Sequence, residues 1–272
     1  MKTVPVALQL YTVRDLLAKD LRGTLRAVKA AGYDYVEPAG LCGVTAPELK
    51  AELDAAGLTA VSAHVALTEF AAGIEATLEA YKSLGCKYVV VPYLPEEQRF
   101  GTPAFEKTLA FIAEIGAAAH KAGMQLLYHN HDFEFTKMPD GRYVLDYMYD
   151  TIAPENLATE LDVCWVRVGG ENPVDYLKKY ANRAPVVHLK DYIGEKSAHM
   201  YELIGIQSEG TDEPQKFEFR PVGAGVQDFP AILAAVAETN AEYVVVEQDQ
   251  SYAQASIDAA KQSRDYLKTL GW

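Results

Sequence analysis

FEKTLAFIAEIGAAAHKAGMQLLYHNH, residues 105–131, holds in miniature the pattern from which the whole chain is built. Its first part, 105–122, carries apolar residues at helical spacing, and Gly123 follows where a left-handed residue closes a helix. The next seven positions, Met124–Asn130, read as a short buried strand. That strand ends on two imidazoles, His129 and His131, two residues apart. A helix, a glycine and a strand tipped with ionisable groups make one unit.

The unit recurs in both directions. Strands are expected at Val4–Leu10, Tyr35–Glu37, Thr59–His64, Lys87–Pro92, Met124–Asn130, Leu157–Asp162, Pro185–Lys190 and Tyr243–Gln248. Helical patterns lie between them at Leu21–Ala31, Ala46–Ala56, Ile74–Leu84, Phe105–Ala122, Pro173–Tyr180, Phe229–Thr239 and Ser256–Leu270. Gly32, Gly57 and Gly85 repeat the role of Gly123. Eight βα units in 272 residues average about 34 each, which predicts an α/β TIM (β/α)8 barrel in one domain, 1–272. A doubly wound sheet is the alternative, but no GxGxxG follows the first strand. VGAG at 222–225 is too short and badly placed for a dinucleotide fingerprint. The stretch 193–222, between strands seven and eight, is too long for a βα loop and reads as an insertion over the barrel mouth.

Composition narrows the function. With 25 basic and 38 acidic residues the net charge is −13, which disfavours a phosphate backbone or an anionic membrane as partner. Three scattered cysteines, Cys42, Cys86 and Cys164, fit a reducing compartment and offer no cysteine-based zinc site. There is no run of apolar residues long enough to span a bilayer and no signal-peptide pattern in MKTVPVALQLYTVRD. A cytoplasmic protein with a small-molecule partner is expected, in an oligomeric state the sequence does not fix.

Barrel chemistry belongs at the C-terminal strand ends. Those ends read Gln9 and Tyr11, Glu37, His64, Pro92 and Tyr93, His129 and His131, Glu160 and Asp162, His188 and Lys190, Glu247 and Asp249. Four of six histidines fall there. The pairs 129/131, 160/162 and 188/190 are two apart, so both members face the barrel interior. Carboxylates and imidazoles converging on one mouth repel or stay poorly solvated unless a cation joins them. Mixed carboxylate and imidazole donors suit Mn, Zn, Co, Fe or Ni better than Ca. The plainer reading is a satisfied hydrogen-bonding residue for His64 and an ordinary ion-pair partner for Glu37, while for Asp162, His188 and Glu247 the cost of burying an unpaired group favours a site. Tyr11, Tyr93, Phe133, Phe135 and Trp165 form either a sugar-stacking wall or rim packing.

The runs LYHNHDFEF (127–135), ELDVCW (160–165), HLKD (188–191) and VVVEQD (244–249) resemble the sugar phosphate isomerase/epimerase family of xylose isomerase-like TIM barrels. LQLYTVRD, YVEPAG and SAH at 62–64 extend the resemblance over nearly the whole chain. It implies one divalent ion (Mn, Zn, Co, Fe or Mg) held by Asp162, His188, Glu247 and a strand-five carboxylate. That carboxylate is missing, since His129-Asn130-His131 stands in its place. Either His129 or Glu160 fills the position, and Glu160 is preferred because it preserves charge. His131 matches a substrate-contacting histidine of the family.

Such a site moves protons beside a carbonyl. Glu160 and Glu247, or His131, would be the acid and base. Lys190 would stabilise oxyanion charge, its pKa lowered by neighbouring cations. Gln9, Arg14, Glu37, His64 and His129 would hold substrate. The expected activity is a metal-dependent isomerase or epimerase on a sugar, keto-sugar or cyclitol through an enediolate. A dehydratase or lyase on a keto-inositol or 3-keto-glycoside is the alternative, and a non-catalytic sugar-binding barrel the third reading.

Overall fold

The computed structural model describes residues 2–197 and 217–272. Seven strands precede the insertion: β1 Val6–Gln9, β2 Tyr35–Glu37, β3 Thr59–Ala60, β4 Tyr88–Val91, β5 Gln125–His129, β6 Ala158–Asp162 and β7 Val186–Leu189. A two-stranded hairpin follows, β8 Asp191–Ile193 with β9 Glu218–Arg220, and then β10 Tyr243–Val246. Eight strands pair in parallel in the order β3-β2-β1-β10-β7-β6-β5-β4. The ring closes through the residues after β3. His64 bridges to Val90, the Val90 N–H donates to Ala63 O at 2.9 Å, and the Val65 N–H donates to Val90 O at 2.8 Å. The chain is a TIM barrel.

The unit at 105–131 folds as its pattern dictates. The helix Phe105–Lys121 buries Phe105, Leu109, Ile112, Ile115 and Ala119 on one face. Full burial of a side chain such as Ile112 contributes about 1.5–3 kcal/mol. Gly123 has φ +76 with nothing within 4 Å of where a Cβ would sit, so backbone conformation and not space selects glycine there.

Inside the barrel, parity separates core from chemistry. Ala7, Val61, Tyr88, Val90, Leu127, Ala158, Val186 and Val245 form an apolar plug. Two residues further along six of the strands come Gln9, Glu37, His129, Glu160, His188 and Glu247. Asp162 and Lys190 follow two residues later still, and all eight are at most 4% exposed. Period-two alternation thus carries each strand from plug to polar interior.

The insertion begins and ends in the hairpin, whose register pairs Tyr192 with Phe219. Residues 198–216, with most of the expected excursion over the mouth, lie outside the described residues. Tyr192, Phe217 and Phe219 pack with Cys164, Trp165 and Val168 to build one wall of the mouth. VGAG has a local purpose. The N–H groups of Gly223, Gly225 and Gln227 donate to the Asp191 carboxylate at 3.0, 2.8 and 3.1 Å, a backbone concavity around an anion of the chain itself. A Cβ on Gly225 would come 2.3 Å from Asp191 Oδ1, so the turn closes only with glycine. Among the described residues, no helix is long and apolar enough to cross a membrane.

Candidate metal centre

Asp162 ends β6 and caps the helix Val163–Val168. Its Oδ1 accepts from the N–H groups of Cys164 (2.7 Å) and Trp165 (3.0 Å), which fixes the carboxylate plane. Oδ2 is left pointing inward without a hydrogen bond, 3.3 Å from His129 Nε2 and 3.4 Å from Lys190 Nζ. Asn130, which the sequence did not single out, stabilises this corner. Its side-chain amide accepts from Asp162 N–H at 2.9 Å and donates to Asp162 O at 3.3 Å, extending the β5–β6 pairing. An asparagine between two inward-facing histidines must face the other way, and that is the signal that would have found it.

His188 joins two polar layers. Nδ1 lies 3.0 Å from Glu247 Oε2 in the upper layer, while Nε2 lies 2.8 Å from Glu37 Oε1 and 3.1 Å from Glu160 Oε2 below. The lower layer also holds His64, with Nε2 2.6 Å from Glu160 Oε2. Gln9 donates to Glu37 Oε1 at 2.8 Å, and the Ser62 hydroxyl donates to Oε2.

Two sets of donor atoms lie within 4.8 Å of one another: His129, Asp162, His188 and Glu247, and separately His64, His129, Glu160 and His188. Spacing decides between them. Ligand bonds of about 2.0–2.2 Å in a tetrahedral site separate donors by about 3.3–3.6 Å. The upper set shows 3.3 Å (His129–Asp162), 3.6 Å (His129–Glu247) and 3.0 Å (His188–Glu247). Both contacts of the lower set, 2.6 and 3.1 Å, are hydrogen-bond lengths that call for a proton between the atoms, whereas in the upper set only the His188–Glu247 contact is one. His129 Nε2 and Asp162 Oδ2 are buried with no hydrogen-bond partner, as ligand atoms would be. The upper set fits a divalent ion. Of the two fourth donors the sequence left open, His129 lies beside Asp162, His188 and Glu247, and Glu160 lies one layer down in the other set.

The charges follow the layers. Burial pushes His64 down, but Glu37 and Glu160 outweigh it and raise the pKa to about 10. Burial likewise pushes Glu37 up, and His64 and His188 hold it well below the usual carboxylate range. Lys190 sits among three carboxylates. Burial lowers its pKa, yet Asp249, Glu247 and Asp162 prevail and keep it well above its ordinary value. Its Nζ stands 2.8 Å from Glu247 Oε2 and 2.9 Å from Asp249 Oδ2. Asp249 itself is pushed up to about 6, by burial against the pull of Lys190.

A stability prediction follows from His64. A pKa raised from 6.5 to about 10 gives stabilisation that is complete below pH 6.5 and is lost as pH rises through about 10. The stability difference between wild type and His64→Gln, from chemical unfolding, should shrink steadily from pH 6.5 to 10.5. A difference that stays constant over that window would refute the charged pairing.

Above these layers lies a cavity of ≈ 360 Å³ whose lining includes Tyr11, His64, His131, Lys190, Glu247 and Asp249. His129 also lines it, but Gln9, Glu37 and Glu160 do not. Arg14 braces the rim. Its guanidinium lies 3.9 Å over the Tyr11 ring and Nη1 donates to Tyr11 O (3.0 Å) and Asp249 O (2.6 Å). His131 stacks on Phe133 at 5.5 Å and leans on Trp165 at 5.0 Å. Burial, reinforced by His129 and Lys190, holds its pKa well below the ordinary histidine value. Phe135 packs away from the cavity, against Tyr143 and Tyr176. Glu134 is a further residue the sequence reading passed over. It is buried, accepts from His131 N–H at 2.8 Å and from the Tyr128 hydroxyl, and so fixes the turn that aims His131.

Residues 25–270 match the family described as xylose isomerase-like TIM barrel. The chain belongs to that family. Among xylose isomerase-like barrels it is similar to an inosose dehydratase of Clostridium perfringens, 31% identical over 202 residues. That alignment covers 68% of this chain and 66% of the relative, just under two thirds of its length. A sugar phosphate isomerase/epimerase from Parabacteroides distasonis superposes with TM-score 0.75 at 23% identity, covering 98% of this chain and 94% of the other. A protein called IolI, solved with a zinc atom bound, superposes at 0.71 with 19% identity and 98% of both chains covered. At these identities the two structures speak to the fold.

Proposed function

We propose that this xylose isomerase-like barrel is a metal-dependent lyase that dehydrates a small keto-cyclitol or keto-sugar. The observation that carries the reading is the convergence of His129, Asp162, His188 and Glu247, beside Lys190, under a cavity of ≈ 360 Å³. That volume matches a single sugar or cyclitol ring. The Gly-rich turn at 222–225 has the N–H groups of Gly223 and Gly225 committed to Asp191 and those of Val222 and Ala224 to Ser263 and Pro221, which favours an unphosphorylated substrate. Similarity to named inosose dehydratases favours loss of water over simple epimerisation.

His129, Asp162, His188 and Glu247 would hold the ion, which when bound supplies Lewis-acid polarisation of the substrate ketone. His131 faces the cavity with its ring clamped between Phe133 and Trp165, and takes the proton from the carbon next to the ketone. The C–H electron pair becomes the new double bond as the C–O bond to the β-hydroxyl breaks. His131 then returns its proton to the departing oxygen, and water leaves. Lys190 keeps its charge and directs an N–H at the oxygen where negative charge develops. Glu37 and Glu160 hold His64 and His188 from below.

The test incubates the metal-supplemented protein with keto-inositols and keto-sugars in deuterated water and follows them by mass spectrometry and NMR. Dehydration predicts a product lighter by one water. Exchange at the α-carbon with mass otherwise unchanged would replace the reading with an isomerase or epimerase. Binding with no exchange at all would leave a sugar-binding barrel.

A further inference from the structure

We propose that His129 sets which ion this centre accepts, favouring borderline transition ions of the zinc type over hard ions such as manganese and magnesium. The inference rests on the reading of the upper layer as a metal centre and goes beyond it to the identity of the ion.

Each donor contributes one atom, and what those atoms are is legible in their other bonds. Asp162 has a single oxygen to give, because Oδ1 is tied to two helix N–H groups. Glu247 presents Oε2, which already lies 2.8 Å from the Lys190 ammonium and is weakened as an anionic donor. Hard dications draw their affinity from charged oxygens and keep several waters in six- to eight-fold shells. They would find here one full carboxylate oxygen, one shared with a cation, and two nitrogens. Imidazole nitrogens suit zinc, cobalt, nickel and iron. The separations of His129 from Asp162 and Glu247, 3.3 and 3.6 Å, also match a four-coordinate shell with short bonds.

His129 is the deciding member. It is 2% exposed, neither ring nitrogen makes a well-aligned hydrogen bond, and Nε2 is aimed between Asp162 Oδ2 (3.3 Å) and Glu247 Oε2 (3.6 Å), where an ion would complete all three. Its ring is held edge-on between His64 (5.1 Å, 68°) and His188 (4.7 Å, 77°), which blocks rotation away from the centre. His188, by contrast, is already bonded through both nitrogens.

The experiment strips the full chain with chelator and titrates zinc and manganese separately against a competing indicator, for wild type, His129→Glu and His129→Gln. Zinc outranks manganese at almost any site, so the readout is the change in the zinc-to-manganese affinity ratio and not the order itself. His129→Glu should bind manganese more tightly and lower the ratio at least about tenfold, a change of the size known for altered metal surroundings. His129→Gln, nearly isosteric, should also lower the ratio, by weakening zinc more than manganese. A ratio unmoved in both variants overturns the role of His129 and leaves the metal centre standing. Wild-type protein that binds neither ion overturns the metal centre, and this inference with it.

Discussion

An Asp162→Asn variant is expected to fold like wild type and to lose its divalent ion. The reason lies in the division of labour between the two carboxylate oxygens. Oδ1 accepts from the N–H groups of Cys164 and Trp165, and an asparagine carbonyl oxygen performs the same cap. Oδ2 faces His129 and Lys190 with its lone pairs unused. In the variant an NH2 stands there, with no lone pair for a cation and with its hydrogens directed at an ammonium. Loss of a direct ligand should exceed the 10–100-fold weakening typical of outer partners. Elemental analysis should show about one ion per chain in wild type and almost none in the variant, at an unchanged circular dichroism spectrum. Turnover should fall by about 1000-fold or more, as expected when Lewis-acid polarisation is removed. An Asp162→Asn protein that retains wild-type metal content would eliminate Asp162 as a ligand.

The same residue shows what one sequence can reveal. Parity and strand ends brought Asp162, His188 and Glu247 to one polar interior, and the family resemblance suggested them as ligands. Glu160 and His129 were not separable by that logic. Both satisfy the inward parity, and β5 and β6 set them in register as direct partners. What parity omits is height. Strands in a barrel are tilted and staggered, so residues equally close to a strand end arrive in different layers. Gln9 and Glu37 fell to the same ambiguity and sit below the cavity, in register with each other. Arg14 was expected among the residues that hold substrate. The structure gives it two backbone carbonyls and a tyrosine face, contacts that leave no trace in sequence. The fold needed no such height information. Eight βα units repeat along the chain, four of their helices closed by a glycine with positive φ, and that number, with no GxGxxG after the first strand, pointed to a barrel.

Replacing Lys190 by methionine is expected to destabilise the metal-free protein more than any surface substitution would. The ammonium is 1% exposed and lies 2.8 Å from Glu247, 2.9 Å from Asp249 and 3.4 Å from Asp162. Methionine preserves length and the packing beside Trp165 and Phe219, so the loss is one of charge. Breaking a buried pair by removing one partner costs about 3–5 kcal/mol, because the other charge is left uncompensated. For a chain of this size that lowers Tm by on the order of 10 °C. The pH dependence has a definite sign. Asp249 already stands at about 6 in the presence of Lys190, and without it the buried carboxyl titrates higher still. A carboxyl whose folded pKa exceeds its unfolded value penalises folding as pH rises above the unfolded value. The deficit of Lys190→Met should therefore be greatest at pH 8 and diminish toward pH 4. Zinc should narrow it as well, since a dication restores positive charge beside Asp162 and Glu247. Calorimetry at pH 8 and pH 5, with and without zinc, measures all three effects. A metal-free variant that melts with wild type at pH 8 would mean that these carboxylates do not need Lys190 to stay charged, and the oxyanion role assigned to it would go with that pairing.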